Sequence, residues 1–161
     1  MELANSPSDV ISRHMSEIPV NLRAIIDELG IEFREDPTLP ATIAGKLMRE
    51  WSAPSGYRIT VNARDNPRRQ RFTMAHELAH YVLHRDLLGE GHIDSALYRS
   101  TTLSDEYERQ ADRFAAQILL PAETLREAFN NTSKALSVLA RMFDVSDAAL
   151  RIRLSELGLA A

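Results

Sequence analysis

The sequence predicts an α+β domain in which a small sheet occupies the first third of the chain and helices occupy the rest. Three observations carry that expectation. Ile31-Glu32-Phe33-Arg34 and Tyr57-Arg58-Ile59-Thr60-Val61-Asn62 alternate apolar with polar residues, the pattern of half-buried strands. From Asn66 onward, long stretches repeat apolar residues with a helical period. The chain has 161 residues, 44% of them hydrophobic and 26% charged, which suits a globular fold with its own core.

In chain order, a short helix is expected around Asp9–Met15, then a second over Val20–Leu29, where Val20, Leu22, Ile25, Ile26 and Leu29 share a face and Gly30 stops the run. The strand from Ile31 follows, then a turn at Asp36–Pro40. Ala41–Trp51 and Tyr57–Val61 flank Ser52-Ala53-Pro54-Ser55-Gly56, a hairpin loop by composition. Asp65 or Asn66 caps the next helix and Pro67 takes its first position. Arg68, Arg69 and Arg71 in its first turns form either a contact for an acidic partner or a solvated face with local ion pairs. That helix ends by Gly89 or Gly91. Residues 86–103 read as a loop, with one extended piece at most, around Ala96–Tyr98. Ser104 caps a strong helix running to Pro121, and three shorter helices complete the chain.

Composition also excludes classes. The chain has no cysteine, so it has neither a disulfide framework nor a cysteine-based metal site, and it fits a reducing compartment. The amino terminus lacks the basic and apolar regions of a secretion signal, and no run approaches membrane-spanning length, so a cytoplasmic location is expected. A formal charge of -4 argues against binding nucleic acid through net charge.

Phe72-Thr73-Met74-Ala75-His76-Glu77-Leu78-Ala79-His80-Tyr81-Val82-Leu83-His84 carries the chemistry. His76 and His80 stand one helical turn apart, the spacing that offers two imidazole nitrogens to one tetrahedral zinc. Glu77 lies about 100° round from His76, beside the ion, where it can take a proton from water. The competing reading is a helix with two capped core histidines, but burying two imidazoles in so apolar a run without a ligand is costly.

A catalytic zinc takes three protein ligands, so a third must come from elsewhere. In the helix after Ser104, the apolar face is set by Ala111, Phe114, Ala115, Ile118 and Leu119. Glu108 lies roughly 50° from its centre and Glu106 roughly 150° away, so Glu108 points inward, where a carboxylate calls for a cation. Asp112, one turn on, is placed to receive a ring N–H from a zinc-ligating histidine. His84 is the rival ligand; its Cα lies about 12 Å along the helix from His76, too far for both to reach one ion, so it reads as a supporting residue. His92, Tyr81, Tyr98 and Tyr107 are candidate oxyanion donors that the sequence does not rank.

The segment Arg71-Phe72-Thr73-Met74-Ala75-His76-Glu77-Leu78-Ala79-His80, followed by Glu108-x-x-Ala111-Asp112-x-Phe114-Ala115-Ala116-x-x-Leu119-Leu120-Pro121, resembles the ImmA/IrrE family of zinc metallopeptidases. The likeness runs from about Val20 to Leu159. It implies a zincin-like, mini-gluzincin core with a small antiparallel sheet against the His-Glu-x-x-His helix. It further implies an endopeptidase with Zn2+ on His76, His80 and Glu108 and with Glu77 as catalytic base, as the spacing suggests independently. The protein substrate implied is a helix-turn-helix (Xre-type) repressor or antitoxin encoded nearby, whose cleavage relieves repression of stress or mobile-element genes. Asp112 stands where Asn is common in the family, which leaves its supporting role intact.

Residues 1–120 are expected to form the metallopeptidase core and residues 121–161 a helical extension packed on it. In that extension Leu136–Leu154 reads as helix, turn, helix, with Ser146 as a cap and Arg151 and Arg153 on the second helix. Two competing functions follow: a DNA-binding regulator using this tail, disfavoured by Asp144, Asp147 and Glu156, or the toxin of a toxin–antitoxin pair. For the peptidase, an extended substrate is expected to pair with an exposed sheet edge at Tyr57–Asn62, with Ile59 and Val61 on the pairing strand.

Overall fold

The computed structural model describes residues 6–88, 91–94 and 105–159, with backbone alone at 91–94. Two short helices, α1 (Pro7–His14) and α2 (Leu22–Glu28), precede strands β1 (Glu32–Asp36), β2 (Gly45–Arg49) and β3 (Tyr57–Asn62). Helix α3 (Pro67–His84) follows, then a single 3-10 turn at Arg85–Leu87 and strand β4 (Gly91–Asp94). Helices α4 (Asp105–Leu119), α5 (Ala122–Asn131), α6 (Leu136–Phe143) and α7 (Asp147–Glu156) complete the fold.

Local chemistry sets most of these boundaries. Ser6 and Asp9 form a reciprocal capping box at α1. Asn21 caps α2 through the Ala24 N–H, and Gly30 follows with φ +73°, the left-handed conformation that glycine adopts without strain. Asn66 caps α3 and Pro67 opens it, as the sequence predicts.

The four strands lie in the order β1-β3-β2-β4, and the sheet is mixed. β2 pairs antiparallel with both β3 and β4, but β1 runs parallel to β3. The expected all-antiparallel sheet is corrected here. Residues 37–44 carry the chain past one strand position, and the β2–β3 hairpin folds β3 back into the gap beside β1. Buried Asn62 secures that crossover: its Nδ2 donates to the carbonyls of Ile43 (3.0 Å) and Pro40 (3.1 Å).

The same topology overturns the expected substrate edge. β3 is hydrogen-bonded on both sides, and Ile59 and Val61 are fully buried, so this strand offers no backbone to a substrate. Among the described residues the edges are β1 and β4. The extended piece near Ala96–Tyr98 lies outside the described residues, as does the Ser104 cap; β4 lies a few residues earlier.

α3 is the central element. One side packs on β2 and β3 and another on α4. Ile59, Val61 and Leu47 from the sheet, Leu78 from α3 and Ile118 and Leu119 from α4 join one apolar cluster, each such side chain contributing about 1.5–3 kcal/mol on burial. Leu125, Leu139, Phe143, Leu150 and Leu154 of α5–α7 belong to that same cluster, so the carboxyl-terminal helices pack onto the α3–α4 layer. No described helix is long and apolar enough to cross a membrane.

Candidate metal centre

α3 is held in place before any ligand is considered. Gln70 Nε2 donates to the Asn62 carbonyl (2.9 Å), tying the helix start to the end of β3. Arg71 donates to the carbonyls of Val20 (3.1 Å), Asp144 (3.1 Å) and Phe143 (3.4 Å), joining α3 to both ends of the chain. Burial holds the Arg71 guanidinium below its ordinary range, with the Asp144 carboxylate acting in the opposite sense. Arg68 and Arg69 form exposed pairs with Asp144 and Asp65, so local ion pairs account for these two, while Arg71 is held by the backbone carbonyls.

The sheet approaches α3 most closely at Gly45. A Cβ built there would lie 2.5 Å from Thr73 Cγ2 and 2.8 Å from the Thr60 carbonyl, with Glu77 Cγ at 3.6 Å. Only glycine admits this contact, which sets the carboxylate-bearing side of α3 directly against β2.

Where α3 packs on α4, His76 and His80 meet Glu108 of α4. His76 Nε2 lies 3.0 Å from Glu108 Oε2, His80 Nε2 lies 3.4 Å from the same oxygen, and the two nitrogens are 3.1 Å apart. All three residues are buried, His80 completely. Donors bound at about 2.1 Å to a tetrahedral ion sit about 3.4 Å from one another, so this triangle is near the size such an ion requires. Two imidazole nitrogens and a carboxylate oxygen converging at this distance make a donor set that could hold a divalent metal ion. Glu77, also buried, follows His76 in the chain on the side of α3 that Gly45 approaches.

The outer nitrogens of the rings are also engaged. His76 Nδ1 is 2.8 Å from Asp112 Oδ1, and because a carboxylate only accepts, the ring donates from Nδ1 and turns Nε2 toward His80 and Glu108. His80 Nδ1 is 2.9 Å from His84 Nδ1, and His84 Nε2 is 2.8 Å from Gln110 Oε1. His84 therefore lies behind His80, as the helical spacing predicts for a supporting residue.

A model of the IrrE N-terminal-like domain, the M78 peptidases, matches residues 26–155. The chain belongs to this family. It is 36% identical over 108 residues to the radiation response metalloprotease IrrE of Deinococcus deserti, covering 64% of this chain and 37% of that protein. It is 32% identical over 118 residues to the metallopeptidase ImmA of Bacillus subtilis, covering 71% of this chain and 65% of that protein. The chain thus spans between about a third and two thirds of the length of these relatives. A solved Mycobacterium tuberculosis transcriptional regulator shares the fold, with a TM-score of 0.61 at 21% identity over 92% of this chain and 46% of that one.

Within this IrrE-like domain the remaining candidate residues separate. Tyr81 packs edge-on against Tyr57 at 5.5 Å and stacks beneath Arg85, which commits it to the sheet side. Tyr107 lies against the His84 ring at 4.9 Å, next to the cluster. The side chain of His92 and the whole of Tyr98 fall outside the described residues. Two contributors escape a reading of motifs alone. Gly45 carries a usable signal, since glycine inside a strand marks a close backbone approach, whereas Gln110 sits among charged residues with nothing local to distinguish it. A groove of about 640 Å³, floored by Phe72, Leu119, Val145 and Ala149 and rimmed by Arg109 and Arg113, meets the cluster at Asp112.

Proposed function

We propose that this domain is a zinc-dependent endopeptidase acting on a protein substrate, with His76, His80 and Glu108 as the metal ligands, Glu77 as the general base and Asp112 orienting His76. The observation that carries the reading is the convergence of three donor atoms at 3.0–3.4 Å. Family membership and the names of the relatives, both metallopeptidases, support it. Zinc is the metal proposed because a small, buried N/N/O donor set suits a tetrahedral d10 ion.

When bound, the metal supplies Lewis-acid polarisation of the scissile carbonyl and lowers the pKa of water. The protein residues do the rest. Glu77 accepts a proton from the attacking water and returns it to the leaving amide nitrogen, the two halves of one general acid–base cycle. Asp112 keeps the proton of His76 on Nδ1, so that Nε2 faces inward.

For substrate alignment the β4 edge replaces the buried β3. Asp94 is the register partner of Gly45, and Gly45 lies against Glu77. The outer edge of β4 is therefore about 5 Å, one strand spacing, beyond a residue in contact with the base. An extended peptide added there runs past the site in the manner of β-augmentation. Substrate residues beyond the scissile bond would lie in the groove beside Asp112.

The family resemblance points to a helix-turn-helix repressor or antitoxin as the substrate, and to action in the cytoplasm. Residues 121–161, which include the α6–α7 pair, are read as a bracing extension of the catalytic core. A DNA-binding role for it is weakened by Arg153, which is buried and donates to the Leu120 carbonyl (2.9 Å), leaving Arg151 as the exposed basic residue of α7.

The test is metal content together with cleavage of the helix-turn-helix protein encoded beside this chain. About one zinc per chain is expected, lost in Glu108→Ala and kept in Glu77→Gln, with cleavage abolished in both. Protein that takes up no zinc when it is supplied, or a Glu77→Gln variant that cleaves at the wild-type rate, would overturn the reading.

A further inference from the structure

The three histidines of α3 recur every four residues, yet only two belong to the donor triangle. His84 and Gln110 extend a chain of contacts from the second: Gln110 Oε1 to His84 Nε2 at 2.8 Å, His84 Nδ1 to His80 Nδ1 at 2.9 Å, then His80 Nε2 at the triangle. His80 and His84 are both buried, and Tyr107 lies against the His84 ring.

A neutral imidazole carries one N–H and one lone pair. If both contacts of His84 are hydrogen bonds, the chain has just two proton arrangements. In the first, Gln110 presents its carbonyl: His84 donates from Nε2, accepts at Nδ1 from the His80 Nδ1–H, and His80 Nε2 is left with a lone pair aimed at the triangle. In the second, Gln110 presents its amide N–H₂. Each proton then moves one place along, His84 donates from Nδ1 to His80 Nδ1, and His80 Nε2 holds a hydrogen where a ligand must hold a lone pair. No atoms differ between the two; the amide orientation decides.

We propose that Gln110 and His84 are positioning residues that set the tautomer of His80, the Gln110 carbonyl selecting, through His84, the form able to ligate. This rests on the reading of the triangle as a metal centre. It also identifies an asymmetry within that centre. His76 is oriented by the Asp112 carboxylate, which has acceptor atoms alone, whereas His80 is oriented by a neutral amide that is able to turn. One ligand is held by a group that only accepts and the other by a group whose orientation decides whether it accepts or donates. α4 provides all three controlling groups, with Glu108, Gln110 and Asp112 spaced two residues apart.

Zinc affinity, measured by competition with a chromophoric chelator on the whole chain, tests this in two variants. Gln110→Met keeps the length of the side chain and removes the acceptor; Gln110→Glu can only accept. Zinc binding is expected to weaken about 10–100-fold in Gln110→Met and to be held or tightened in Gln110→Glu, with the thermal midpoint of the metal-free proteins unchanged. Long-range ¹H–¹⁵N spectra of the zinc-loaded wild type should place the His84 proton on Nε2. Equal zinc affinity in wild type and Gln110→Met, or a His84 proton on Nδ1 in the loaded protein, would overturn the inference while leaving the metal centre standing. A wild type that binds no zinc would remove the metal centre itself, and this inference with it.

Discussion

His76 and Asp112 meet across the α3–α4 interface with Nδ1 2.8 Å from Oδ1, although the histidine is buried and the aspartate side chain is half exposed. A carboxylate in this position fixes the ring and raises its basicity as a ligand, while its own exposure limits what it adds to folding. Asp112→Ala is therefore expected to weaken zinc binding about 10–100-fold with little loss of stability. Asp112→Asn should lose less, because its side-chain carbonyl still accepts the Nδ1–H. Chelator competition on the two variants checks the order; an Asn variant as impaired as the Ala variant would mean that charge, not hydrogen-bond direction, is what His76 needs.

Gly45 couples the sheet to the catalytic side of α3. A methyl group there would meet Thr73 Cγ2 at 2.5 Å and the Thr60 carbonyl at 2.8 Å, and the backbone carbonyl has no rotamer with which to move away. Gly45→Ala should cost about 1–3 kcal/mol through overpacking. It should also lower cleavage beyond what that loss explains, since α3 carries His76, Glu77 and His80 and must shift to make room. Urea unfolding and kcat/KM measured at a temperature where the variant is fully folded separate the two effects; an unchanged kcat/KM would show that the site tolerates movement of α3.

The two site-bearing helices were legible because their signals are local. Asn66-Pro67 starts α3, four-residue spacing aligns His76 with His80, and the apolar face of α4 turns Glu108 inward. Strand order was not legible, because alternation in Tyr57–Asn62 says that a strand has faces and nothing about which strands flank it. The insertion of β3 between β1 and β2 depends on the 37–44 crossover and on Asn62 bonding it, contacts between residues about 20 apart in sequence. Arg153 shows the same limit from the other side. The sequence places it on the second helix with Arg151 and does not say which way it points, whereas its guanidinium is folded inward onto the Leu120 carbonyl.

His14 links α1 to α2 by pairing with Glu28 (3.2 Å) as well as with Glu17 (2.6 Å). The hydrogen bond to Glu17 chiefly, offset in part by desolvation and reinforced by Glu28, raises its pKa above the ordinary 6.5. A raised folded-state pKa stabilises the fold fully below about 6.5, and that contribution fades as pH climbs through the higher folded value. Hydrogen exchange at Val10 and Ile11, corrected for intrinsic rates, should show α1 opening more readily above neutral pH than at pH 6. The difference should vanish in His14→Gln; its persistence there would assign the effect to another group.

Arg71 braces the start of α3 from a half-buried position, with its side chain 16% exposed and three backbone carbonyls as acceptors, those of Val20, Phe143 and Asp144. The exposed carboxylate of Asp144 contributes little, whereas the carbonyls at the α6–α7 turn and before α2 depend on this one guanidinium. Arg71→Met retains the apolar stem and leaves those acceptors unanswered, so it should destabilise the protein by about 2–4 kcal/mol. Arg71→Lys should recover only part of this, because an ammonium on a single carbon does not span the acceptors as the planar fork does. Urea midpoints at constant slope test both. A loss below about 0.5 kcal/mol in Arg71→Met, the range of an ordinary surface substitution, would show that α3 is held by the apolar cluster and Gln70 alone, and that the two ends of the chain are docked without help from this residue.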